Sequence, residues 1–195
     1  MFTKSFEGLK IGYAFCASFC TLERSFSEME KLVGLGASVY PIMSERTYSV
    51  DSRFTVASEF RERVKRCAGR EIVASVEDAE PFGPAEPLDV LIIAPCTGNT
   101  LAKISLGISD GAVSMAAKAH LRADRVTLIA LSSNDAMSRN LPSIARMLEH
   151  KAVYFLPMRQ DDPSKKPHSL VADYSRMCDA LDAALRSEQL RPIFM

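Results

Sequence analysis

Ile92-Ile93-Ala94-Pro95-Cys96-Thr97-Gly98-Asn99-Thr100-Leu101-Ala102-Lys103-Ile104 joins an apolar run to a helix-forming one through a short polar turn. The apolar run, residues 90–94, ends at Pro95; small and polar residues follow, and a helical pattern then opens. This is the pattern of a buried parallel strand whose carboxyl end feeds a helix, and open α/β sheets hold their ligands outside such strand ends. Thr97, Asn99 and Thr100 bring hydroxyl and amide groups to that point, and Gly98 lets a backbone come close to whatever binds there.

Outward from this turn the chain alternates between the two periods. Residues 9–15 read as a first strand. An amphipathic helix over about 21–35 follows, with Leu22, Phe26, Met29, Leu32 and Val33 on one face and Gly34 and Gly36 at its end. Residues 37–43 form a second strand with Ser44 at its exit, residues 57–67 a helix, and 71–76 a short strand that need not join the main ladder. Pro81, Pro84 and Pro87 with Gly83 make residues 77–88 a turn-rich connection without helix. Residues 88–94 are the next strand, and helices follow from the Pro95 turn to about 108 and over 111–121. Another strand spans 125–131, exited by Ser132-Ser133-Asn134. A helix over 142–149, a late strand over 153–157, a polar loop over 159–168 and a closing helix over about 171–186 complete the chain. Strand and helix in repeated alternation predict a Rossmann-like or flavodoxin-like three-layer α/β fold, a parallel sheet in one domain spanning residues 1–195.

With 195 residues, 47% hydrophobic and 25% charged, the chain has soluble globular composition and enough length for a sizeable core. A formal net charge of zero argues against a nucleic-acid or membrane-surface binder, which needs a basic excess. No apolar run approaches the roughly 20 residues that span a bilayer, and residues 1–10 lack the pattern of a secretory signal, so a cytoplasmic protein is expected. The five cysteines are scattered, there is no Cys-x-x-Cys pair and the three histidines are isolated, so no metal site is expected. Cys16 and Cys20, four apart, read as two small apolar residues on the buried face of one helix more readily than as a redox pair.

Four strand exits carry small or hydroxyl residues: Ala17-Ser18, Ser44, Cys96 to Thr100, and Ser132-Ser133-Asn134. In a parallel sheet they share one edge. Neutral donors together with helix N-termini suit a phosphate monoester on a heterocycle. After Gly12 comes Tyr-Ala-Phe-Cys-Ala-Ser instead of the dinucleotide fingerprint, so a mononucleotide such as FMN fits better than NADP.

These residues resemble the flavoprotein superfamily that contains the flavin-containing cysteine decarboxylases and the flavin prenyltransferases. Its central motif, Pro-Ala-Ser-Ala-Asn-Thr followed by Ile-Ala-Lys-Ile-Ala-Asn-Gly-Ile-Ala-Asp, stands here as Pro95-Cys96-Thr97-Gly98-Asn99-Thr100 followed by Leu101-Ala102-Lys103-Ile104-Ser105-Leu106-Gly107-Ile108-Ser109-Asp110. The match is closer to one branch, found in spore-forming bacteria. It is carried by Ala79-Glu80-Pro81-Phe82-Gly83-Pro84, Met115-Ala116-Ala117-Lys118-Ala119-His120-Leu121-Arg122, Ser133-Asn134-Asp135-Ala136, Gln160-Asp161-Asp162-Pro163 and Lys166-Pro167-His168-Ser169-Leu170-Val171-Ala172-Asp173.

The resemblance implies bound FMN, a homo-oligomer of trimers or their multiples, and flavin near protomer interfaces. Ser18 matches the serine after the first strand and Ser44 the hydroxyl after the second, while Ser133, Asn134 and Met137 stand where the superfamily has Pro-Ala-Met-Asn. The residues expected to hold the cofactor are Gly12, Ser18, Ser44, Pro95, Cys96, Thr97, Asn99, Thr100, Ser132, Ser133, Asn134 and Met137. The decarboxylases carry a catalytic histidine between the second strand and the next helix. Residues 45–70 here hold none, which disfavours a decarboxylase or prenyltransferase-like activity. The branch implies instead an oxidoreductase component in the mother-cell cytoplasm, working with a dehydrogenase-like partner protein on a dihydropyridine dicarboxylate. A non-catalytic partner-binding or scaffold role on the same fold is the alternative. A dianionic substrate calls for cations, and Lys118, Arg122, Lys165 and Lys166 are candidates. His120 and His168 are candidate bases, against a plain structural hydrogen-bond role.

Overall fold

The computed structural model describes residues 5–83 and 85–195; residues 1–4 and Pro84, part of the turn-rich connection and of one resembling stretch, lie outside them. Strand β1 (Lys10–Phe15) pairs in parallel with β2 (Ser38–Met43) on one side and β3 (Val90–Cys96) on the other. β3 pairs in parallel with β4 (Val126–Ser133), whose first half is flanked by parallel β5 (Val153–Phe155). The connections run through α1 (Leu22–Gly34), α2 (Glu45–Ser49), α3 (Ala57–Ala68), α4 (Val76–Ala79), α5 (Gly98–Ser105), α6 (Ala112–Leu121) and α7 (Leu141–Leu148). Beyond β4 the sheet turns antiparallel: the end of β4 pairs with β7 (Leu170–Ala172), and β7 with β6 (Met158–Arg159), giving the order β2-β1-β3-β4-β7-β6 with β5 beside β4. α8 (Met177–Leu185) closes the chain.

Strand alternation sorts the side chains onto two cores. Ile11, Tyr13 and Phe15 of β1, Ile92 of β3 and Leu128 of β4 face a cluster completed by α1, α3 and α8. Phe15 meets Phe60 edge-on with ring centroids 5.3 Å apart. Ala14, Leu91, Ile93 and Ile129 face the opposite cluster, completed by α5, α6 and α7. Tyr13 keeps its phenol satisfied inside the first core: its hydroxyl donates to Ser25 O at 2.8 Å, and Ser25 Oγ donates to Ala94 O at 2.5 Å. Desolvation pushes that phenol well above its usual range. Among the described residues no helix is long and apolar enough to cross a membrane.

Four expectations change. Residues 71–76 form no strand; Val73 makes one parallel bridge to Ile42, and Ser75 then caps α4 by accepting from Asp78 N at 3.0 Å. Helical turns thus enter the proline-bearing connection (α4, then a 3-10 turn over Glu80–Phe82), because a proline in a first turn forfeits no hydrogen bond. The closing helix begins at Met177 instead of about 171; Leu170–Ala172 is strand β7, and Asp173 opens a 3-10 turn by accepting from Ser175 N at 3.2 Å. The apolar spacing through this stretch suits either period, and the edge offered by β4 decides it. Cys16 and Cys20 share no helix: Cys16 is buried just beyond β1, whereas Cys20 is exposed in the 3-10 turn Phe19–Thr21.

β3 also runs through Pro95 to Cys96, and β4 to Ser133, two residues past the expected ends. Ile93 pairs with Ile129 and Cys96 with Leu131, so three steps on β3 oppose two on β4. This bulge turns Cys96 onto the same face as Ile93 and aims the following turn over the sheet edge.

Gly12 lies inside this framework, between Tyr40 and Leu91, and not at the ligand edge. A Cβ there would stand 2.5 Å from Leu88 Cδ1 and 3.1 Å from Leu91 Cδ1. Its place among the cofactor contacts is therefore corrected to a packing role. Gly12→Val is expected to destabilise the fold by about 1–3 kcal/mol through overpacking, read as a lower urea midpoint at unchanged slope; an unshifted midpoint contradicts the packing.

Candidate functional site

The carboxyl ends of β1, β2 and β3 meet at a cleft of about 230 Å³. Each wall follows from local chain chemistry. Thr97, in extended conformation, caps α5: its Oγ1 accepts from Thr100 N at 3.2 Å and lies 3.0 Å from Thr100 Oγ1. The N–H groups of Gly98 and Asn99, in the first turn of α5, have no intrahelical acceptor and carry the positive end of the helix dipole. Ser44 caps α2 in the same way, accepting from Thr47 N at 3.4 Å, with Thr47 Oγ1 2.9 Å away. Ala17, Ala112 and Val113 give the cleft an apolar side.

The charges in the lining are Arg46, Lys103, Glu45 and Asp110. Lys103 Nζ donates to both oxygens of Asp110, at 2.8 and 2.9 Å, and this lysine holds the Asp110 carboxyl below the usual carboxylate range. Arg46 has no carboxylate partner among the described residues, so it is the cation with free valence in the cleft. Uncommitted N–H groups, hydroxyls and one unpaired guanidinium suit an anionic phosphate ester.

A second construction braces the β3 and β4 exits. Asn140 Nδ2 donates to Gly98 O at 3.2 Å, and Asn140 Oδ1 accepts from Ser133 Oγ at 2.8 Å. Ser133 Oγ also accepts from Asp135 N at 3.1 Å, closing the turn after β4. A Cβ on Gly98 would stand 1.9 Å from Asn140 Oδ1, so glycine is required for this bridge.

Of the residues expected to hold a cofactor, Ser44, Thr97, Asn99 and Thr100 line the cleft. Ser18 is tied to Thr21, whose Oγ1 donates to Ser18 O at 2.9 Å, and Ser132 Oγ lies 3.4 Å from the Tyr174 hydroxyl; neither lines the cleft. Ser133 is committed to the brace, Asn134 is exposed in the turn beyond it, and Met137 is joined through its backbone N–H to His168 O at 2.9 Å. Pro95 and Cys96 are buried beneath the site, where Pro95 O accepts from Cys16 N at 3.1 Å. Burial raises the Cys16 thiol to about 11 and pushes the Cys96 thiol well above its usual range.

The candidate bases and cations lie elsewhere. His120 is fully buried near the start of β4, at the opposite edge of the sheet. Its Nε2 lies 2.8 Å from Val126 O and must donate, which leaves Nδ1 bare and without a partner. Desolvation lowers its pKa to about 4, so the ring is neutral and structural. His168 is exposed in the loop before β7 and outside the cleft lining. Lys118 and Arg122 line a different cleft, and Lys166 is paired with Asp161. Arg46, Lys103, Asp110 and Asn140 were not anticipated. For Asn140 a sequence signal exists: it directly precedes Leu141-Pro142, the start of α7, in a capping position whose side chain is diverted to the brace.

A family model described as Flavoprotein matches residues 3–167. The chain is 38% identical over 191 residues to the B subunit of dipicolinate synthase from Bacillus subtilis, covering 98% of this chain and 96% of that one. The crystal structure of the corresponding B subunit from Bacillus halodurans superposes with a TM-score of 0.90 at 38% identity, covering 98% of each chain. The flavin prenyltransferase UbiX of Archaeoglobus fulgidus is 29% identical over 133 residues, 67% of this chain and 70% of that one.

Two outcomes test this geometry. Gly98→Ala is expected to cost about 1–3 kcal/mol through the clash and less in an Asn140→Ala background, where the nearer clash is gone and only the rotatable Ser133 hydroxyl, 2.6 Å from the added Cβ, must give way; equal costs in both backgrounds contradict the bridge. His120 takes up its proton near pH 6.5 when unfolded and near pH 4 when folded. Between those values the unfolded chain binds more protons, so stability rises with pH across the window by on the order of 3 kcal/mol. His120→Gln should flatten that part of the stability–pH curve; an unchanged slope contradicts the burial.

Proposed function

The chain belongs to the flavoprotein family, and from that premise we propose that it is the FMN-binding B subunit of a dipicolinate synthase. Together with the A subunit of that enzyme it takes part in oxidising a dihydropyridine dicarboxylate to dipicolinic acid. The observation that carries the reading is the convergence of Ser44, Thr97, Asn99, Thr100 and the open N-terminus of α5 on one cleft, in a chain 38% identical to a dipicolinate synthase component over nearly its whole length.

The residues present fit the cofactor. The amide N–H groups of Gly98 and Asn99 and the Thr97 and Ser44 hydroxyls would receive the phosphate, with Arg46 balancing its charge. Ala17, Ala112 and Val113 would meet an apolar ring edge. FMN, when bound, supplies an acceptor for two electrons. Loss of a hydride equivalent and a proton makes the dihydropyridine ring aromatic. This chain's share is to hold and orient the partners and to keep water from the ring.

At about 230 Å³ the cleft is smaller than a typical ligand pocket of roughly 300–1,000 Å³, so a second copy of the chain is needed to close it, in keeping with trimers or multiples of trimers. A dinucleotide such as NADP fits less well, lacking both room and a glycine-rich fingerprint. The mother-cell cytoplasm is the corresponding location.

A second reading has a specific observation behind it. Among the described residues no histidine lines the cleft, and residues 45–70 lack the one a decarboxylase of this family uses. A cleft without a histidine for proton transfer would leave this chain to serve as a scaffold for the A subunit. The test is direct. The purified protein is expected to show the absorbance bands of oxidised flavin and, mixed with the A subunit, to support FMN-dependent dipicolinate formation. Asn99→Ala is expected to retain less FMN per chain. A colourless protein that cannot be reconstituted with FMN, yet activates the A subunit, would establish the scaffold reading.

A further inference from the structure

A second cleft, of about 360 Å³, lies on the outer face of the molecule between α5, α6 and α7. Its floor is apolar, made by Ile104, Ile108, Leu121 and Met147. One wall carries Lys118 and Arg122 at the end of α6; the other carries the cation Arg146 at the end of α7, with His150 beside it, whose Nδ1 accepts from Ala152 N at 3.4 Å and whose Nε2 is left to donate. Among the described residues no carboxylate lines it.

Lys31, Arg63, Lys65, Lys103, Lys151 and Arg186 each contact a carboxylate elsewhere on the surface, whereas among the described residues none of the side chains on these walls does. Lys118 Nζ donates to Ser109 Oγ, at 3.4 Å, and to no carboxylate among the described residues. Arg122 lies flat against Gly83, where a Cβ would come 2.6 Å from its Nη2. Arg146 likewise has no carboxylate partner among the described residues. The nearby acids are otherwise engaged or face away: Asp110 pairs with Lys103, Asp124 with Lys151, and Glu149 is absent from the lining. Helix-end charge complementarity accounts for each cation singly. It does not account for cations on two walls facing each other across an apolar floor.

From this arrangement we propose that the cleft binds a small dianion whose two carboxylates are held apart by an apolar ring. One carboxylate is received by Lys118 and Arg122, the other by Arg146 and His150, and the ring lies on Ile104 and Met147. The volume is within the range of small-molecule sites. The site is separate from the strand-exit cleft and does not depend on flavin occupying that cleft.

Titration calorimetry on the full chain with isophthalate, benzoate and inorganic phosphate tests it. Isophthalate is expected to bind, benzoate at least about tenfold more weakly because one carboxylate is lost, and phosphate more weakly still for want of a ring. Lys118→Ala and Arg146→Ala should each weaken isophthalate at least about fivefold with unchanged thermal midpoints, while Asn99→Ala in the other cleft leaves its affinity unchanged. The proposal is overturned if isophthalate does not bind, as for a surface that instead receives an acidic segment of a partner chain. It is equally overturned if benzoate binds as tightly, if Lys118→Ala and Arg146→Ala combined leave the affinity intact, or if Asn99→Ala abolishes it.

Discussion

Asn140 spans two strand exits, donating to Gly98 O and accepting from Ser133 Oγ, and only a residue without a side chain at position 98 leaves it room. This bridge sets where α5 begins relative to β4. The start of α5 places Thr97, Asn99 and Thr100, and those residues with Ser44 make the polar wall of the cleft. The bulge between Ile93 and Cys96 supplies the other half of the constraint by turning the chain over the sheet edge. Both features sit on buried backbone whose hydrogen bonds must be satisfied, so the site's geometry is held by the same interactions that complete the core.

The chain separates its polar groups by task. Buried ones are structural: Tyr13 and Ser25 close on Ala94 O, His120 on Val126 O, and Cys16 and Cys96 lie beneath the turn with thiols that burial keeps protonated. Two surface clefts gather polar groups that have no internal partner among the described residues. One is the strand-exit cleft, with neutral donors and Arg46; the other is the α5–α7 cleft, with cations on both walls. The first is the proposed phosphate site and the second the proposed dicarboxylate site.

Much of the fold was legible in the sequence because strand and helix periods were clear over residues 9–67 and 88–149, whereas residues 71–76 make only the bridge from Val73 to Ile42 before Ser75 caps a helical turn. What failed has physical causes. Residues 170–172 carry a pattern equally suited to helix or strand, and only the free edge of β4 makes them a strand. Pro95 marked an expected end because proline cannot donate to a ladder, yet β3 continues to Cys96 at a bulge. Ser44, Thr97, Asn99 and Thr100 were legible because caps at strand exits follow from short-range chemistry. Arg46, Lys103 and Asp110 were not, because their convergence depends on how α2 and the α5–α6 connection fold back over the edge. Gly12 was misread for the converse reason: a glycine's packing partner, Leu88, is visible only in three dimensions.

The central claim is that the strand-exit cleft is built around a phosphate, with the ring of the cofactor secondary to it. The most direct measurement is a side-by-side equilibrium titration of the apoprotein with FMN and with riboflavin, which differ only by that phosphate. The account predicts FMN at least about tenfold tighter, as expected for losing a charge-assisted contact worth about 1.5–3 kcal/mol, and a gap that narrows as salt is raised. Equal affinity for the two, unaffected by salt, would contradict it.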